Sequence, residues 1–477
     1  MSDFVPRMPM HGDVTNAMIM GLGPGQVEEN VTKQVQATID HEAFQGPVRI
    51  MPDCHWGAGA TIGFTMPIDN DPLRIVPNTV GVDIGCGLLA MHVEGVEEGD
   101  LLDEIDDTIR DVVPMGRSVH QRNDYHMGDD FPWRECDEKW ERTKDQLDLE
   151  DPEWFDGYGL DEYFKPLCKR VERDMMRVIN SMGTLGGGNH FIELNRDAEG
   201  RSWFVIHSGS RAIGLAIAKY WQAEATGLRT NDYIRENLDE ELARYIVPDL
   251  DDPELSQWFR GGKGQSYIDS KAIKENVDDN HLIGYLHDRI RTAHPDKRDA
   301  DEDLDYLEDQ EVAGYLVDMI YAQTYAWENR RVMLERIVEA LGWEIEDTVH
   351  SPHNMIDFDD LVLRKGATRA HDGERFVLPF NMAEGTYICE GKGNEKWNRS
   401  APHGAGRVMS RTQAYEELDM EEFEEQMDGI YSSSVTEDTL DEAPGAYKPA
   451  ELIQGAIGPT AEVLHHLKPI LNVKSLE

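Results

Sequence analysis

Asp83 and Cys86 stand three residues apart in Val80-Gly81-Val82-Asp83-Ile84-Gly85-Cys86-Gly87, a stretch with little side-chain bulk. A carboxylate offers a hard oxygen, and a thiolate offers a soft sulfur with enough lone pairs to bridge two ions. The pair therefore suits a borderline divalent metal such as manganese, iron, cobalt or zinc. Val82 and Ile84 flank the aspartate as in a short buried strand, while Gly85 and Gly87 let the chain turn tightly around Cys86. Alone, such a D-x-x-C is more often a turn cap beside a small core cysteine. Three histidines shift that balance: His190 in Gly188-Asn189-His190-Phe191, His207 in Val205-Ile206-His207-Ser208-Gly209, and His353 in Pro352-His353-Asn354. Each follows glycine or ends a strand-like run, a setting in which a neutral imidazole completes a metal site.

A second chemical stretch is Pro402-His403-Gly404-Ala405-Gly406-Arg407-Val408-Met409-Ser410-Arg411. A histidine in open backbone beside two arginines offers a nucleophile next to phosphate-binding cations; the plain alternative is a glycine-rich turn before a helix. Leu185-Gly186-Gly187-Gly188 lets backbone amides approach a phosphate, but no Lys-Ser or Lys-Thr follows, so there is no Walker motif. Ser208, Ser210 and Arg211 place two hydroxyls and a guanidinium at a strand end, a grouping that suits an anion. Asp53 and His55 read as supporting or positioning groups rather than metal ligands.

Strands and helices must position these groups. Residues 47–52 read as a strand, followed by a polar, glycine-rich turn over 53–64 that leads into a second strand. Further strands are expected at 89–93, at 203–207, ending at 348–354, and at 470–474. Helices are expected over 25–41, where Val27, Val31, Val35 and Ile39 recur every four residues, and over 171–181, 216–245 and 311–341, the last stopped by Gly342. Within the last, Tyr315, Tyr321, Tyr325 and Trp327 read as core packing, while Asn329, Arg330 and Arg331 are expected to reach toward a nucleotide. Residues 115–166, with Trp133, Trp140, Trp154 and many acids, read as an acidic insertion or lid, in which His126 and Cys136 serve local packing.

The totals narrow the function. Acidic residues number 93 against 46 basic ones, a net charge of -47 that repels nucleic acid at long range, so any RNA-binding role requires a local basic patch. Acidic runs at 97–107, 299–309 and 416–425 read as solvated faces and loops, a surface that a salt-adapted host would also favour. Five cysteines, Cys54, Cys86, Cys136, Cys168 and Cys389, with no C-x-x-C, argue against both a disulfide framework and a zinc ribbon. No signal-peptide pattern opens the chain and no apolar run reaches membrane-span length, so the expected compartment is the reducing cytoplasm.

Taken together, these stretches resemble the RtcB family of RNA-splicing ligases, over nearly the whole chain. The family's D-x-x-C-G is met by Asp83, Cys86 and Gly87, G-N-H-F-x-E by Gly188 to Glu193, H-x-G-S-R by His207 to Arg211, and H-N by His353-Asn354. H-G-A-G-R-x-M-S-R is His403 to Arg411, and D-E-A-P-G-A-Y-K is Asp441 to Lys448. The resemblance implies an α/β (α+β) fold: a single catalytic domain over 1–477, with a β-rich core carrying a dinuclear metal site and flanked by helices. It implies a GTP- and manganese-dependent ligase joining an RNA 2',3'-cyclic phosphate or 3'-phosphate end to an RNA 5'-hydroxyl. One Mn2+ would be held by Asp83, Cys86 and His190 and a second by the shared Cys86 with His207 and His353. His403 would be guanylylated, and Asn189, Glu193, Asn354, Tyr447 and Lys474 would line the guanine nucleotide site. Arg211 and Arg407 would contact phosphates, with Asn381, Gly404, Ala405 and Gly406 also at the nucleotide.

The K-x-D-G motif of ordinary nucleotidyltransferases has no counterpart, since Asp372-Gly373 follows Ala370-His371. The chain departs from the family at Pro379-Phe380-Asn381-Met382-Ala383, where P-G-S-M-G is common. Two alternatives stay open: a divergent paralogue acting as a metal-dependent RNA phosphodiesterase or specialised RNA-repair ligase, and a catalytically silent RNA-binding protein. The resemblance leaves room for an activating protein and is compatible with a monomer.

Overall fold

The structure, a computed structural model, describes residues 5–96, 101–264 and 266–476, so the first part of the acidic run 97–107 lies outside the described residues. Two sheets carry the larger of two compact units, Met1–Lys219 with Glu308–Glu477. The first has six strands in the order Arg7–His11, Asn16–Met20, Val48–His55, Ile62–Pro67, Val362–Lys365 and Asn354–Asp357. The second has seven, in the order Glu344–Pro352, Gly87–Glu94, Ser202–Ser208, Phe191–Arg196, Ala461–Val473, Thr386–Gly391 and Arg375–Pro379. Glu344–Pro352 and Asn354–Asp357 belong to different sheets, and only His353 separates them in the chain.

Register does the positioning. Gly87–Glu94 lies antiparallel between two neighbours, pairing Gly87 with Pro352 on one side and with Ser208 on the other. Phe191 pairs with His207, and Val473 pairs with Ile192. In an antiparallel sheet the start of each strand meets the end of the next, so Cys86, His190, His207, His353 and Lys474 collect at one end of it. The central strands hold that end still because both of their faces are buried. Leu89, Met91, Ile192, Phe204 and Ile206 pack toward Met333, Leu334 and Ile337 of the long helix Gln310–Leu341, whereas Leu88, Ala90 and Val205 pack with Val349, Val377 and Ile388.

The long helix ends on Gly342 at φ 68°, a left-handed C-cap that suits glycine. Tyr315, Tyr321 and Tyr325 are core residues, and Trp327 is half-buried. Around Tyr321 pack Phe131, Trp133, Tyr163 and Phe164 of the acidic segment 115–166, with ring centroids 5.3–6.0 Å away. The smaller unit, Tyr220–Leu307, has its own core of Ile234, Leu238, Leu255, Phe259, Ile273 and Ile290. Its helices Ser270–Asn276 and Asn280–Arg291 are N-capped by Asp269 and Asp279. All five cysteines are free and buried, and no described helix is long and apolar enough to cross a membrane.

Several boundaries differ from the sequence expectation. The helix expected over 171–181 is Met175–Asn180, because Glu172 adopts φ 54° and Asp174 caps a fresh start by accepting from the Arg177 amide. Asp53, Cys54 and His55 extend the strand Val48–His55 instead of opening a turn, since His55 still pairs with Ile62. Val82 is 50% exposed and does not lie in a buried strand. Residues 82–85 form a turn, closed by the Cys86 amide donating to Asp83 O and by Gly85 at φ 71°. Its Cβ would come within 2.8 Å of Ala326, so the turn requires glycine there.

Arg364 fastens the six-stranded sheet to the segment leading to His403. Fully buried, it donates to Asp357 (3.0 Å), Asp360 (2.9 Å) and Ser400 Oγ (2.9 Å). Arg364→Met leaves two carboxylates without that partner and is expected to cost about 3–5 kcal/mol in urea unfolding at neutral pH. A loss within about 0.5 kcal/mol would show that the ion cluster is not part of what holds this joint.

Candidate functional site

At the shared sheet end, the Cys86 thiol lies 3.3 Å from His207 Nε2 and 3.6 Å from His190 Nε2. His190 Nε2 is 3.0 Å from Asp83 Oδ2, and His207 Nε2 is 3.3 Å from His353 Nε2. The ligand atoms of Asp83, Cys86 and His190 all lie within 4.8 Å of one another, as do those of Cys86, His207 and His353. Orientation is set from behind. His190 Nδ1 meets Leu185 O at 2.9 Å and His207 Nδ1 meets Asn189 O at 3.0 Å, so each Nδ1 is anchored outward and each Nε2 faces the other candidate ligands.

Burial, then the charges of neighbouring histidines, holds His207 and His353 well below the ordinary imidazole value, and burial pushes the Cys86 thiol well up. For Asp83, burial works against ionisation, yet the bond and charge of His190 together with Arg211 hold it below the usual carboxylate value. Inward-facing imidazole nitrogens around a thiol and a carboxylate fit divalent cations of the borderline class, and the common Cys86 gives two overlapping ligand sets.

The turn that carries Asp83 and Cys86 is pinned by the long helix. Arg330 donates Nη1 to Gly85 O (2.9 Å) and Ser208 O (2.6 Å), and Asn329 donates to Thr184 O, Ser208 Oγ and Gly209 O. These two residues therefore brace the site's frame rather than reaching toward a nucleotide, and Arg331 pairs with Glu328 and Glu335. Asn354 donates to Asp83 O and accepts from the Gly366 amide. Arg211 donates to Thr184 Oγ1 and Gly116 O, beside Asp83. Neither Asn354 nor Arg211 lines the adjoining cleft.

That cleft, about 890 Å3 of empty space partly open to solvent, does bring together Asn189, Glu193, Asn381, Arg407, Tyr447, Lys474 and the turn from His403 to Gly406. It also reaches His207 and His353, and the ring of His403 lies 4.8 Å from that of His353. His403 is held by Asp53, whose Oδ2 accepts from His403 Nδ1 (2.6 Å) and from its backbone amide (3.1 Å). The imidazole thus keeps its proton on Nδ1 and leaves the Nε2 lone pair free. Gly406, at φ 76°, passes so close to Asp53 O that a Cβ would sit 2.1 Å away, so only glycine permits this approach.

Glu193 is buried; its Oε1 accepts from Asn472 (2.7 Å), while Oε2 has no partner. Burial pushes its pKa up to about 7, against the Asn472 bond and the Lys474 charge. An unmatched carboxylate oxygen on a cleft wall fits a ligand edge with adjacent N–H donors. Sequence reasoning gave no role to Glu442, although it lies in the D-E-A-P-G-A-Y-K stretch that drew attention. It accepts from Tyr447 (2.6 Å), Lys474 (3.2 Å) and Arg407 (3.2 Å), and Arg411 lies 3.5 Å away. Phe380 and Met382 form an apolar wall, and Asn381 Oδ1 accepts from the amides of Ala383 and Glu384 to shape the turn.

A family model described as tRNA-splicing ligase RtcB matches residues 34–277 and 270–475, and the chain belongs to the RtcB family. RNA-splicing ligase RtcB of Escherichia coli K12 is 27% identical over 473 residues, covering 94% of this chain and 95% of that protein. RNA-splicing ligase RtcB1 of Escherichia coli ATCC 25922 is 28% identical over 474 residues with the same coverage. The tRNA-splicing ligase RtcB of Pyrobaculum aerophilum is 25% identical over 463 residues, covering 85% and 82%.

The site's acid–base state predicts how metal binds. Without a cation the Cys86 thiol keeps its proton at neutral pH, whereas His207 and His353 are already neutral. Binding must displace the thiol proton, so affinity rises with pH. Manganese titration calorimetry in buffers of different ionisation enthalpy is expected to show about one proton released per chain, and none in Cys86→Ala. Equal proton release by both proteins would rule out the thiolate as a ligand.

Proposed function

We propose that this protein is an RNA ligase that joins an RNA 2',3'-cyclic phosphate or 3'-phosphate end to an RNA 5'-hydroxyl end, using GTP and manganese. The observation that carries the reading is His403: its Nδ1–H is held by a buried carboxylate, and it lines a cleft that also reaches His207 and His353, which share Cys86 with the second ligand set. The names of the family and of its relatives, RNA-splicing and tRNA-splicing ligases, support the reaction class.

In this reading His403 Nε2 attacks the α-phosphorus of GTP, the bond to the bridging oxygen of pyrophosphate breaks, and a phosphoramidate forms on the imidazole. Asp53 keeps the Nδ1 proton in place and stabilises the positive charge that develops on the ring. The GMP then passes to the RNA 3'-phosphate, and the incoming 5'-hydroxyl displaces it to close the phosphodiester. A cyclic end is first opened by water to the 3'-phosphate. Asp83, Cys86 and His190 would hold one manganese and Cys86, His207 and His353 a second. These ions supply charge neutralisation for the phosphates and the leaving group. Arg407 and Lys474 offer cations to the triphosphate, with Arg211 on the Asp83 side, while Gly404, Ala405 and Gly406 keep the backbone open beside His403.

Glu193 is the guanine reader: both carboxylate oxygens can accept from the N1–H and amino group of guanine, an edge that adenine lacks. Asn189, Asn381 and Tyr447 line the same cleft. GTP binding favours ionised Glu193, whose pKa of about 7 means that the empty site takes up a proton as pH falls. The KM for GTP should therefore rise as pH drops below about 7. Glu193→Gln should flatten that dependence and raise KM at every pH; an unchanged profile in the variant would remove Glu193 from guanine recognition.

The first chemical step is tested by incubating the protein with manganese and GTP labelled at the α-phosphate. A label that survives denaturation, requires GTP rather than ATP and disappears in His403→Ala is the expected result. Absence of label from metal-loaded wild-type protein would overturn the guanylylation step and favour the phosphodiesterase reading, with attention on the Phe380-Asn381-Met382 wall.

A further inference from the structure

A second cavity, about 1040 Å3 of empty space partly open to solvent, abuts the metal turn and shares no lining residue with the cleft. Gly85 and Pro352 line it, and their chain neighbours Cys86 and His353 belong to the paired ligand sets. Trp327, Met355, Phe358 and Phe376 give it an apolar wall.

Its polar groups have donors to spare. Arg330 is 1% exposed, gives Nη2 to His350 Nε2 (2.7 Å), and leaves Nε without a partner. Its acceptors Gly85 O, Ser208 O and His350 Nε2 are neutral, so this buried positive charge has no bonded carboxylate among the described residues. Because His350 Nε2 accepts from Arg330, its proton resides on Nδ1, which bonds no group among the described residues. The His350 ring lies 4.2 Å from that of Trp327. Burial, then the charges of Arg330, Arg369 and Lys139, keeps this ring neutral. Lys139 lines the cavity and forms no ion pair among the described residues. Of the carboxylates on the lining, Asp357, Asp359 and Glu374 are engaged by Arg364 or Arg369, which leaves only exposed Glu135 without a bonded cation among the described residues.

We propose that this cavity binds a small organic anion: a flat apolar body against Trp327 and Phe376, carrying one carboxylate or phosphate group received by His350 Nδ1–H and the Lys139 ammonium. Arg330 bonds both His350 and the carbonyl of Gly85, so one rigid guanidinium connects the occupied cavity to the turn that carries Cys86. Occupancy is therefore coupled to metal affinity, and by linkage the metal alters affinity for the anion by the same factor. This site is separate from the ligase reading and does not depend on it.

The test is calorimetric titration of the full chain with 1-naphthyl phosphate and with 1-naphthoate, in excess GMP so that the nucleotide cleft is filled, with neutral 1-naphthylmethanol as control. At least one anion is expected to bind at one site per chain, the tighter one identifying the headgroup. The neutral probe should bind at least about tenfold more weakly, and Lys139→Glu, a change on a helix surface, should weaken the anion at least about tenfold. Failure of both anions to bind, or binding unaffected by both Lys139→Glu and His350→Phe, would overturn the site. Manganese titrated with and without saturating anion reads the coupling, and identical affinities would overturn that part.

Discussion

The structure is organised around keeping two sets of lone-pair donors face to face in a buried place. A thiol, a carboxylate and three imidazole nitrogens form two triads sharing Cys86, each triad with its ligand atoms inside 4.8 Å. Such donors repel unless protons or cations lie between them, and burial denies them water. The antiparallel register brings four strand ends to one place, carbonyls fix the outward nitrogens of His190 and His207, and a guanidinium from the long helix holds the turn between Cys86 and Asp83. Arg330 costs desolvation in that position, and its charge is the natural complement of a site that becomes anionic when Cys86 gives up its proton.

The cleft solves the opposite problem. A chain with a net charge of -47 collects Arg407, Arg411 and Lys474 around Glu442, with Asp441 also pairing with Arg411. Burial alone would raise the pKa of Glu442, but Lys474, the Tyr447 bond and the two arginines hold it below its ordinary value. These fixed carboxylates allow three cations to stand together without a ligand, and an arriving polyanion competes for the same cations. The acidic surface and the cationic cleft are thus compatible: charge of one sign disperses over the exterior, and charge of the other is concentrated where phosphates would be handled.

Much of this was legible in the sequence because glycine and histidine announce local geometry. Gly188-Asn189-His190 and His403-Gly404-Ala405-Gly406 advertise open backbone beside a reactive ring, and the glycine at 406 is required by the approach of Asp53 O. The long helix and its glycine stop were equally plain, since periodic apolar residues and a left-handed cap are short-range signals. What the sequence concealed depends on contacts between distant segments. Asp53 sits in a strand 350 residues before the histidine it holds, so its stretch reads locally as a glycine-rich turn. Arg330 and Asn329 look like solvent-reaching groups on a helix, and only the packing of that helix against the sheet turns them inward. Val82 reads as a strand residue from its neighbours, yet the turn places it in solvent.

The central claim is that one thiol serves two ions beside His403. Crystals grown with manganese and measured at the manganese absorption edge test it most directly. The account predicts two anomalous peaks per chain, both adjoining Cys86 Sγ, one flanked by Asp83 and His190 and the other by His207 and His353. A single peak, or a pair of peaks with Cys86 outside their coordination, would contradict it.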